Sequence, residues 1–378
     1  MIKQRLFTPG PTDVPAEVLN EMAKPIFHHR TARFREMFAR VNAGLKKILL
    51  TDNDVLMLIG SGTAGMEAAI VCSVPRDKKV LIADSGKFGE RWVKLGRRYG
   101  LDVDEVKLAW GTALQPELVA DKLAAGDYGA VVAVHSETST ATACDLQAIA
   151  AVVAETDAIL IADCITSAAA LPLRTDEWGV DIVATGSQKA LMLPPGLGFL
   201  AVSDKAWQCI DAIDQPSLYL DLKAYRKSAA KDDTPYTAAV SLVRGAEVAF
   251  NMINDLGVET VWSHTALLAK ATRQAAEALG MEVFSKQPSD SVTAVLLPEG
   301  VTDKQFRPAL RDRFGCSVAG GQEELTGRVF RVSHMGWVDP LDTLGLIAAI
   351  EFTLAACGAK VALGAGVSAA TKVLAEWK

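Results

Sequence analysis

Residues 181–202, DIVATGSQKALMLPPGLGFLAV, place a single lysine between two apolar segments. The flanking segments 181–185 and 197–202 have the apolar and β-branched composition of buried strands. Lys189 therefore lies on a short polar loop whose position is set by the strands on both sides. An amine held there and partly desolvated loses proton affinity and can attack a carbonyl group at neutral pH. The pattern predicts a Schiff-base lysine, with an ordinary surface lysine beside a turn as the alternative.

Apolar segments alternate with helical patterns from residue 55 to residue 202. Strands are expected near 55–59, 79–83, 102–107, 129–134, 157–162, 181–185 and 197–202, and helices near 64–73, 87–99, 116–124 and 145–155. Such alternation is typical of an α/β fold. We therefore expect a large domain built on a mostly parallel seven-stranded sheet flanked by helices.

The pattern changes after residue 240. Two long amphipathic helices are predicted, followed by a smaller α+β unit, with helices at 241–255, 259–279, 302–313 and 340–357 and strands near 291–297 and 328–333. The predicted division is an N-terminal arm (1–20), a large domain (21–255) and a small C-terminal domain (256–378). The segment 225–234, dense in lysine and aspartate, predicts a mobile loop.

Asp163 follows the unbroken apolar run 158–162, which indicates a strand buried on both faces of a parallel sheet. Ligand sites in such sheets lie at the carboxyl ends of the strands. A carboxylate there can bind a substrate hydroxyl, a metal, or the ring nitrogen of pyridoxal phosphate. The alternative is a helix N-cap, because residues 164–170 also have a helical pattern.

The segment 60–65, GSGTAG, lies between a predicted strand and a predicted helix. Free amides at a helix N-terminus bind phosphate, and glycines let the anion approach the backbone. The same segment matches the dinucleotide pattern Gly-x-Gly-x-x-Gly. Asp84 ends the next apolar run, about twenty residues further on, where an acid would hold a ribose. This window alone leaves a nicotinamide or flavin enzyme open.

The length, net charge and cysteine and histidine content of the chain exclude several classes of protein. The chain has 378 residues, 50% of them hydrophobic, which is enough for a large core and two domains. A net charge of −6 argues against nucleic acid or an anionic membrane as partner. Six cysteines without regular spacing indicate small buried residues in a reducing compartment, and five histidines lack the partners of a metal site. We expect no metal, no signal peptide, no membrane segment and a cytoplasmic location.

Several motifs occur in the order seen in class V aminotransferases. They are Thr8 to Thr12, Gly60 to Gly62, Gly86 to Arg91, His135 to Thr140, Asp163, Ser187 to Lys189 and Arg331. The chain resembles the alanine-glyoxylate, serine-glyoxylate and serine-pyruvate aminotransferase group essentially from end to end. The resemblance implies a fold-type-I pyridoxal-phosphate transferase that is a homodimer.

The resemblance also implies a role for individual residues. Lys189 would bond the cofactor as a Schiff base and move the substrate proton, and Asp163 would bind the pyridine nitrogen. Arg331 would clamp the substrate carboxylate, for which the alternative is an edge-strand charge facing solvent. The implied cofactor contacts are ring stacking by Phe88 and Ile165, a ring-hydroxyl bond from Ser139 or less favourably Thr138, and phosphate binding by Ser61, Gly62, Thr63, Gln188 and Thr237 of the neighbouring subunit.

Three positions depart from the family pattern. Thr63 stands where some members have histidine, Ala141 where a glycine is common, and Ala239 where a proline is frequent. None of these changes removes a reacting group. They bear on cofactor affinity or substrate shape.

The implied activity is transfer of an amino group from alanine or serine to glyoxylate or pyruvate by a ping-pong mechanism. A cysteine desulfurase is the nearest alternative, but it needs a mobile cysteine and usually a histidine before the lysine, where Gln188 stands. A nicotinamide oxidoreductase would leave Lys189, Asp163 and Arg331 unexplained. A cofactor-free partner subunit is disfavoured because every expected reacting group is present.

Overall fold

The computed structural model describes residues 2–378, so Met1, the first residue of the predicted arm, lies outside the described residues. Within that range the strands are β1 (Arg5–Leu6), β2 (Asp54–Gly60), β3 (Lys79–Asp84), β4 (Asp102–Lys107), β5 (Tyr128–Val134), β6 (Ser136–Glu137), β7 (Thr142–Ala143), β8 (Ile159–Asp163), β9 (Ile182–Gly186), β10 (Gly196–Val202), β11 (Val292–Leu296), β12 (Cys316–Ser317), β13 (Ala319–Gly320) and β14 (Val329–Ser333).

The α-helices in the same range are α1 (Ala16–Met22), α2 (Ala32–Leu49), α3 (Gly62–Ser73), α4 (Lys87–Arg98), α5 (Pro116–Ala125), α6 (Leu146–Ala154), α7 (Thr175–Trp178), α8 (Asp204–Ala212), α9 (Leu222–Ala229), α10 (Val240–Leu256), α11 (Val258–Ala278), α12 (Asp303–Phe314), α13 (Pro340–Ala356) and α14 (Ala365–Leu374). A short 3-10 helix spans Glu323–Leu325. None of the helices described here combines the length and the apolar character needed to cross a bilayer.

Seven strands form the central sheet in the order β2-β10-β9-β8-β5-β3-β4. Six of them run parallel, and β10 runs antiparallel to both of its neighbours, β2 and β9. The predicted α/β fold with a mostly parallel seven-stranded sheet is confirmed. Because six strands share a direction, their carboxyl ends meet along one edge of the sheet.

Both faces of the sheet are buried, because successive side chains of a strand point to opposite sides. On β5, Val131 and Ala133 join the core that α2, α6 and α10 cover, while Ala130 and Val132 join the core beneath α3, α4 and α8. This double burial explains why the sequence shows continuous apolar runs here instead of an apolar-polar alternation.

The C-terminal part contains a three-stranded antiparallel sheet in the order β11-β14-β13, together with α11 to α14. β1 pairs in parallel with β12, placing Arg5 opposite Cys316, so the first residues of the predicted arm are tied to the C-terminal part. α10 ends at Leu256 and α11 begins at Val258. The predicted domain division between residues 255 and 256 stays a prediction, and it lies one residue before the end of α10.

The prediction of a mobile loop over residues 225–234 is wrong. Most of the segment belongs to α9 and the turn after it, and Tyr225 is buried. Asp233 is buried as well and accepts hydrogen bonds from Arg30 and Arg35. Composition could not reveal this, because the pairing residues lie about two hundred positions away in the sequence.

Candidate active site

Several of the predicted site residues lie at the carboxyl edge of the central sheet. Ser61 follows β2, Asp163 ends β8, and Lys189 follows β9. The loop from Glu137 to Ser139 follows β5, the strand next to β8. The parallel strands therefore bring four separate segments of the chain to one side of the sheet.

Lys189 is almost fully buried, with 9% of its surface exposed. Its ammonium group donates a hydrogen bond to the carbonyl of Pro9, and the hydroxyl of Thr12 donates to the Lys189 carbonyl at 2.9 Å. A Cβ on Gly10, whose φ is +124°, would collide with the lysine side chain. Burial lowers the pKa of Lys189 to about 8, although the Asp163 carboxylate opposes that shift. A useful fraction of neutral amine therefore exists near neutral pH.

Asp163 is 4% exposed and both of its oxygens accept hydrogen bonds. The Ile165 amide donates to Oδ1 at 3.0 Å, and the Trp92 indole Nε1 donates to Oδ2 at 2.8 Å. Burial raises the pKa of Asp163, while the Trp92 hydrogen bond acts in the opposite direction. The alternative of a helix N-cap is wrong, because residues 165–170 form turns and no helix begins there.

The N-terminus of α3 forms a cradle suited to a phosphate group. Ser61 occupies the N-cap position, and its side chain makes no capping hydrogen bond. Gln188 Oε1 is buried without a partner, and a Cβ on Gly186 would lie 3.2 Å from both that atom and Gly62 N. Because amide oxygen and nitrogen positions are interchangeable by a flip, Gln188 can present its NH2 group to an anion at Gly62. These residues fit a phosphate.

The residues predicted to sandwich the cofactor ring lie beside this cradle. A Cβ on Gly62 would lie 2.7 Å from Ile165 Cδ1, so the two residues are in direct contact. Phe88 lies half-buried in the first turn of α4, and the Arg91 guanidinium lies 4.8 Å from the centre of its ring. Arg91 also donates to Thr63 Oγ1 at 3.2 Å. The structure therefore links Phe88 to the phosphate cradle through Arg91.

The hydroxyl groups of Ser139 and Thr138 differ in their hydrogen bonds. The Ser139 hydroxyl donates to Glu137 and accepts a hydrogen bond from the Lys87 amide at 3.0 Å, and the side chain is fully buried. The Thr138 hydroxyl makes no hydrogen bond within residues 2–378. Thr138 is therefore the better candidate for a bond to the ring hydroxyl.

Arg331 lies within β14, the central strand of its sheet, so the alternative of an edge-strand charge facing solvent is wrong. Its Nε donates to the Gly320 carbonyl at 2.9 Å and its Nη1 to the Thr138 carbonyl at 2.7 Å. Burial lowers the pKa of Arg331 to about 10, opposed by the Glu137 charge. No carboxylate in the described part of the chain forms an ion pair with it, which leaves donors for an incoming carboxylate.

Thr237 lies apart from these hydrogen-bonded residues. It is exposed on the segment that leads into α10, and no hydrogen bond of its side chain occurs within the described residues. Its predicted contact with the phosphate of a neighbouring subunit stays a prediction.

Sequence reasoning missed two residues. The Glu137 carboxylate accepts from the Phe88 and Gly89 amides at 2.9 and 3.1 Å and from the Ser139 amide at 3.0 Å. Its signal was an acid inside the 135–140 motif. Trp92 had no local signal, because an apolar residue on a predicted amphipathic helix is ordinarily part of the core.

The order of strands in the central sheet excludes a dinucleotide site formed by residues 60–65 together with Asp84. Asp84 ends β3, and four strands separate β3 from β2 in the central sheet. At about 4.8 Å per strand, the two strands lie roughly 24 Å apart. An acid at that distance cannot hold a ribose whose phosphates bind at residues 60–65.

No group of three or more His, Cys, Asp or Glu side chains in residues 2–378 is arranged to hold a metal ion. All six cysteines are free.

Comparison with known proteins identifies relatives over the whole length. The family model "Aminotransferase class-V" matches residues 5–334. A soluble hydrogenase small subunit of Synechococcus sp. (strain PCC 6716) is 40% identical, with 98% of each chain covered. A serine–glyoxylate aminotransferase of Methylorubrum extorquens is 34% identical, covering 99% of this chain and 96% of that protein. The crystal structure of pyridoxamine-pyruvate aminotransferase from Mesorhizobium loti superimposes with a TM-score of 0.95 at 30% identity, covering 99% of this chain and 98% of that one.

Proposed function

This chain belongs to the class V aminotransferases, and on that premise we propose that it transfers an amino group from alanine or serine to glyoxylate or pyruvate. Its fold is that of the fold-type-I aminotransferases, and its cofactor is pyridoxal 5'-phosphate. The observation that carries the proposal is the buried amine of Lys189, which follows β9 at the same edge of the central sheet where Asp163 ends β8.

The residues present suit this cofactor. When bound, pyridoxal phosphate supplies a carbonyl group for amines and a ring that accepts electrons from the substrate Cα. Ser61, Gly62, Thr63 and Gln188 would hold the phosphate, and Phe88 and Ile165 would pack against the two faces of the ring. Thr138 would donate to the ring hydroxyl.

The two buried charged groups at this edge of the sheet, Asp163 and Lys189, would have separate tasks. Asp163 would meet the ring nitrogen and favour its protonated form. The Lys189 amine would remove a proton from the substrate Cα and return it. Its pKa of about 8 suits both directions of that transfer at neutral pH, because a general base works best when its pKa lies near the operating pH.

Arg331 would bind the carboxylate that amino acids and 2-oxo acids share. A guanidinium with free donors can meet it with two parallel hydrogen bonds. Because one arginine serves both substrates, the donor's oxo acid must leave before the acceptor binds, which is the order of a ping-pong mechanism. The serine–glyoxylate activity named for the Methylorubrum relative supports small substrates.

The test is a matrix of amino donors against 2-oxo acids with the purified holoenzyme. We expect the fastest turnover with alanine or serine and with glyoxylate or pyruvate. Borohydride reduction followed by peptide mapping should place the cofactor on Lys189, and Lys189→Ala should abolish both labelling and steady-state turnover. Labelling of another lysine would refute the site, while a faster donor of a different class would refute only the substrates.

A shared active site in a homodimer is part of the proposal. Leu218 and Ile26 are 85% and 71% exposed, which is unusual for large apolar side chains and supports an interface between subunits. Thr237 would then reach the neighbouring cofactor phosphate. Sedimentation velocity at low protein concentration tests this, because a fully active monomer would contradict it.

We also propose a cytoplasmic location, supported by six free cysteines. Cys72 and Cys144 are unsuited to desulfurase chemistry, because burial raises the pKa of each to about 12, far from that of a reactive thiol.

A further inference from the structure

Trp92 joins two elements that are distant in sequence. It lies on α4, which follows β3, and its side chain is fully buried. Its indole Nε1 donates to Asp163 Oδ2, at the end of β8, over a sequence separation of 71 residues. The contact fixes a helix on one face of the sheet to the carboxylate proposed to meet the cofactor.

An indole suits this position chemically. Its N–H can only donate a hydrogen bond, and it neither accepts a proton nor ionises. It therefore leaves the ring nitrogen as the group whose proton Asp163 would accept. A hydrogen bond from a neutral donor to a carboxylate is charge-assisted and stronger than one between neutral groups. With the Ile165 amide on Oδ1 and the indole on Oδ2, the plane of the carboxylate is held at both ends.

The pairing of Trp92 is not a general feature of buried indoles in this protein. The Nε1 atoms of Trp207 and Trp262 are also buried, and both lack a hydrogen-bond partner. The fold therefore tolerates an indole N–H in its core without an acceptor. Trp207, on α8, provides a matched control for removing an indole N–H from the interior.

We infer that Trp92 is a positioning residue, whose indole N–H holds the Asp163 carboxylate in the orientation that meets the ring nitrogen of the cofactor. The inference rests on the role proposed above for Asp163. The opposing effects on the Asp163 pKa agree with it, because the indole hydrogen bond favours the ionised form that burial disfavours.

The experiment compares Trp92→Phe with the parent and with Trp207→Phe, using equilibrium dialysis of each apoprotein. The two probes are pyridoxal phosphate and its analogue in which a CH group replaces the ring nitrogen. We expect Trp92→Phe to weaken binding of pyridoxal phosphate about tenfold, as the loss of one charge-assisted hydrogen bond implies. Binding of the carbon analogue should not change, and Trp207→Phe should bind both probes like the parent.

Equal loss of affinity for both probes would show a purely structural role and overturn the inference, as would no loss for either. Asp163→Asn distinguishes a failure of the proposed role of Asp163 from a failure of the inference about Trp92. If Asp163→Asn binds pyridoxal phosphate normally, the proposed role of Asp163 fails. If it binds weakly while Trp92→Phe binds normally, only the present inference fails.

A second measurement leaves Trp92 in place, in case Trp92→Phe does not fold. The chain has seven tryptophans. One of their indole N–H proton resonances should move upfield in Asp163→Asn, because a neutral amide accepts a weaker hydrogen bond than a carboxylate. Seven unmoved resonances would overturn the inference.

Discussion

Two buried carboxylates lie at the carboxyl ends of the neighbouring strands β5 and β8, Glu137 shortly after β5 and Asp163 as the last residue of β8. They differ in how many of their acceptor sites are already used. Glu137 is 1% exposed and accepts four hydrogen bonds, from the Phe88 amide, the Gly89 amide, and the amide and hydroxyl of Ser139. Asp163 is 4% exposed and accepts two. A carboxylate has about four lone-pair sites, so Glu137 is saturated and Asp163 can accept more.

Each carboxylate also acts on a buried cation. The Asp163 charge raises the pKa of Lys189, and the Glu137 charge raises that of Arg331, in both cases against burial. Burial alone therefore does not mark the reacting group, since both carboxylates have raised pKa values for the same reason. Unused acceptor capacity distinguishes the group that can bind a ligand from the group that holds backbone in place.

Of the two carboxylates, Asp163 should have the larger effect on chemistry. Asp163→Asn should lower kcat by on the order of 10²–10³, because a positioned charge commonly contributes about 3–4 kcal/mol to a barrier. The free energy of unfolding of the apoprotein should fall less than in Glu137→Gln, because the Asn amide keeps its oxygen for Trp92 and leaves only the Ile165 amide without an acceptor. Single-turnover kinetics and urea unfolding measure the two effects, and near-normal turnover would make Asp163 as structural as Glu137.

The buried charge of Lys189 should lower the free energy of unfolding of the apoprotein. Folding lowers its pKa from 10.5 to about 8, so the folded state disfavours the proton. Lys189→Met should therefore unfold with a free energy about 3 kcal/mol above the parent at pH 7, where both states of the parent carry the charge.

This stability difference should decrease as the pH rises from about 8 and disappear above 10.5, where the lysine is neutral in both states. Urea unfolding of both proteins across that range measures it. A difference that does not depend on pH would mean that packing, and not the buried charge, sets the stability.

Substitution of Glu137 should affect the free energy of unfolding more than turnover, which is the reverse of the expectation for Asp163. In Glu137→Gln an NH2 group faces backbone N–H donors, which costs about 2 kcal/mol of unfolding free energy because buried donors lose their acceptor. Turnover per folded molecule should fall less than in Asp163→Asn. If Glu137→Gln were as stable as the parent but equally impaired in kcat, the distinction between the two carboxylates would be lost.

The smallest effect is expected at Arg331. Arg331→Lys should raise KM for both amino donor and 2-oxo acid about tenfold, since an ammonium cannot reproduce the two-pronged contact with a carboxylate. The absorption spectrum of the bound cofactor should be unchanged. Arg328→Lys, at an exposed position just before the same strand, is the control and should behave like the parent. Unchanged KM values in Arg331→Lys would place the carboxylate site elsewhere.

Sequence alone was sufficient for the fold, and it singled out Lys189 and Asp163, which the structure brings to the same edge of the central sheet. Most strands of the central sheet are recognisable as continuous apolar runs, because a strand buried on both faces has no apolar-polar alternation. The lysine between β9 and β10 and the acid at the end of β8 stand out because each follows such a run. The motif order supplied the family. These features depend on residues that are near neighbours in the chain.

Only the tertiary structure decided which polar groups keep hydrogen-bonding capacity for a ligand. Lys189 meets the Pro9 carbonyl across 180 residues, and Trp92 meets Asp163 across 71. The saturation of Glu137, the engagement of Ser139 and the central position of Arg331 in its sheet likewise depend on contacts between separate elements. Local sequence patterns report which residues a helix or strand buries, whereas hydrogen bonds between distant elements exist only once the chain has folded.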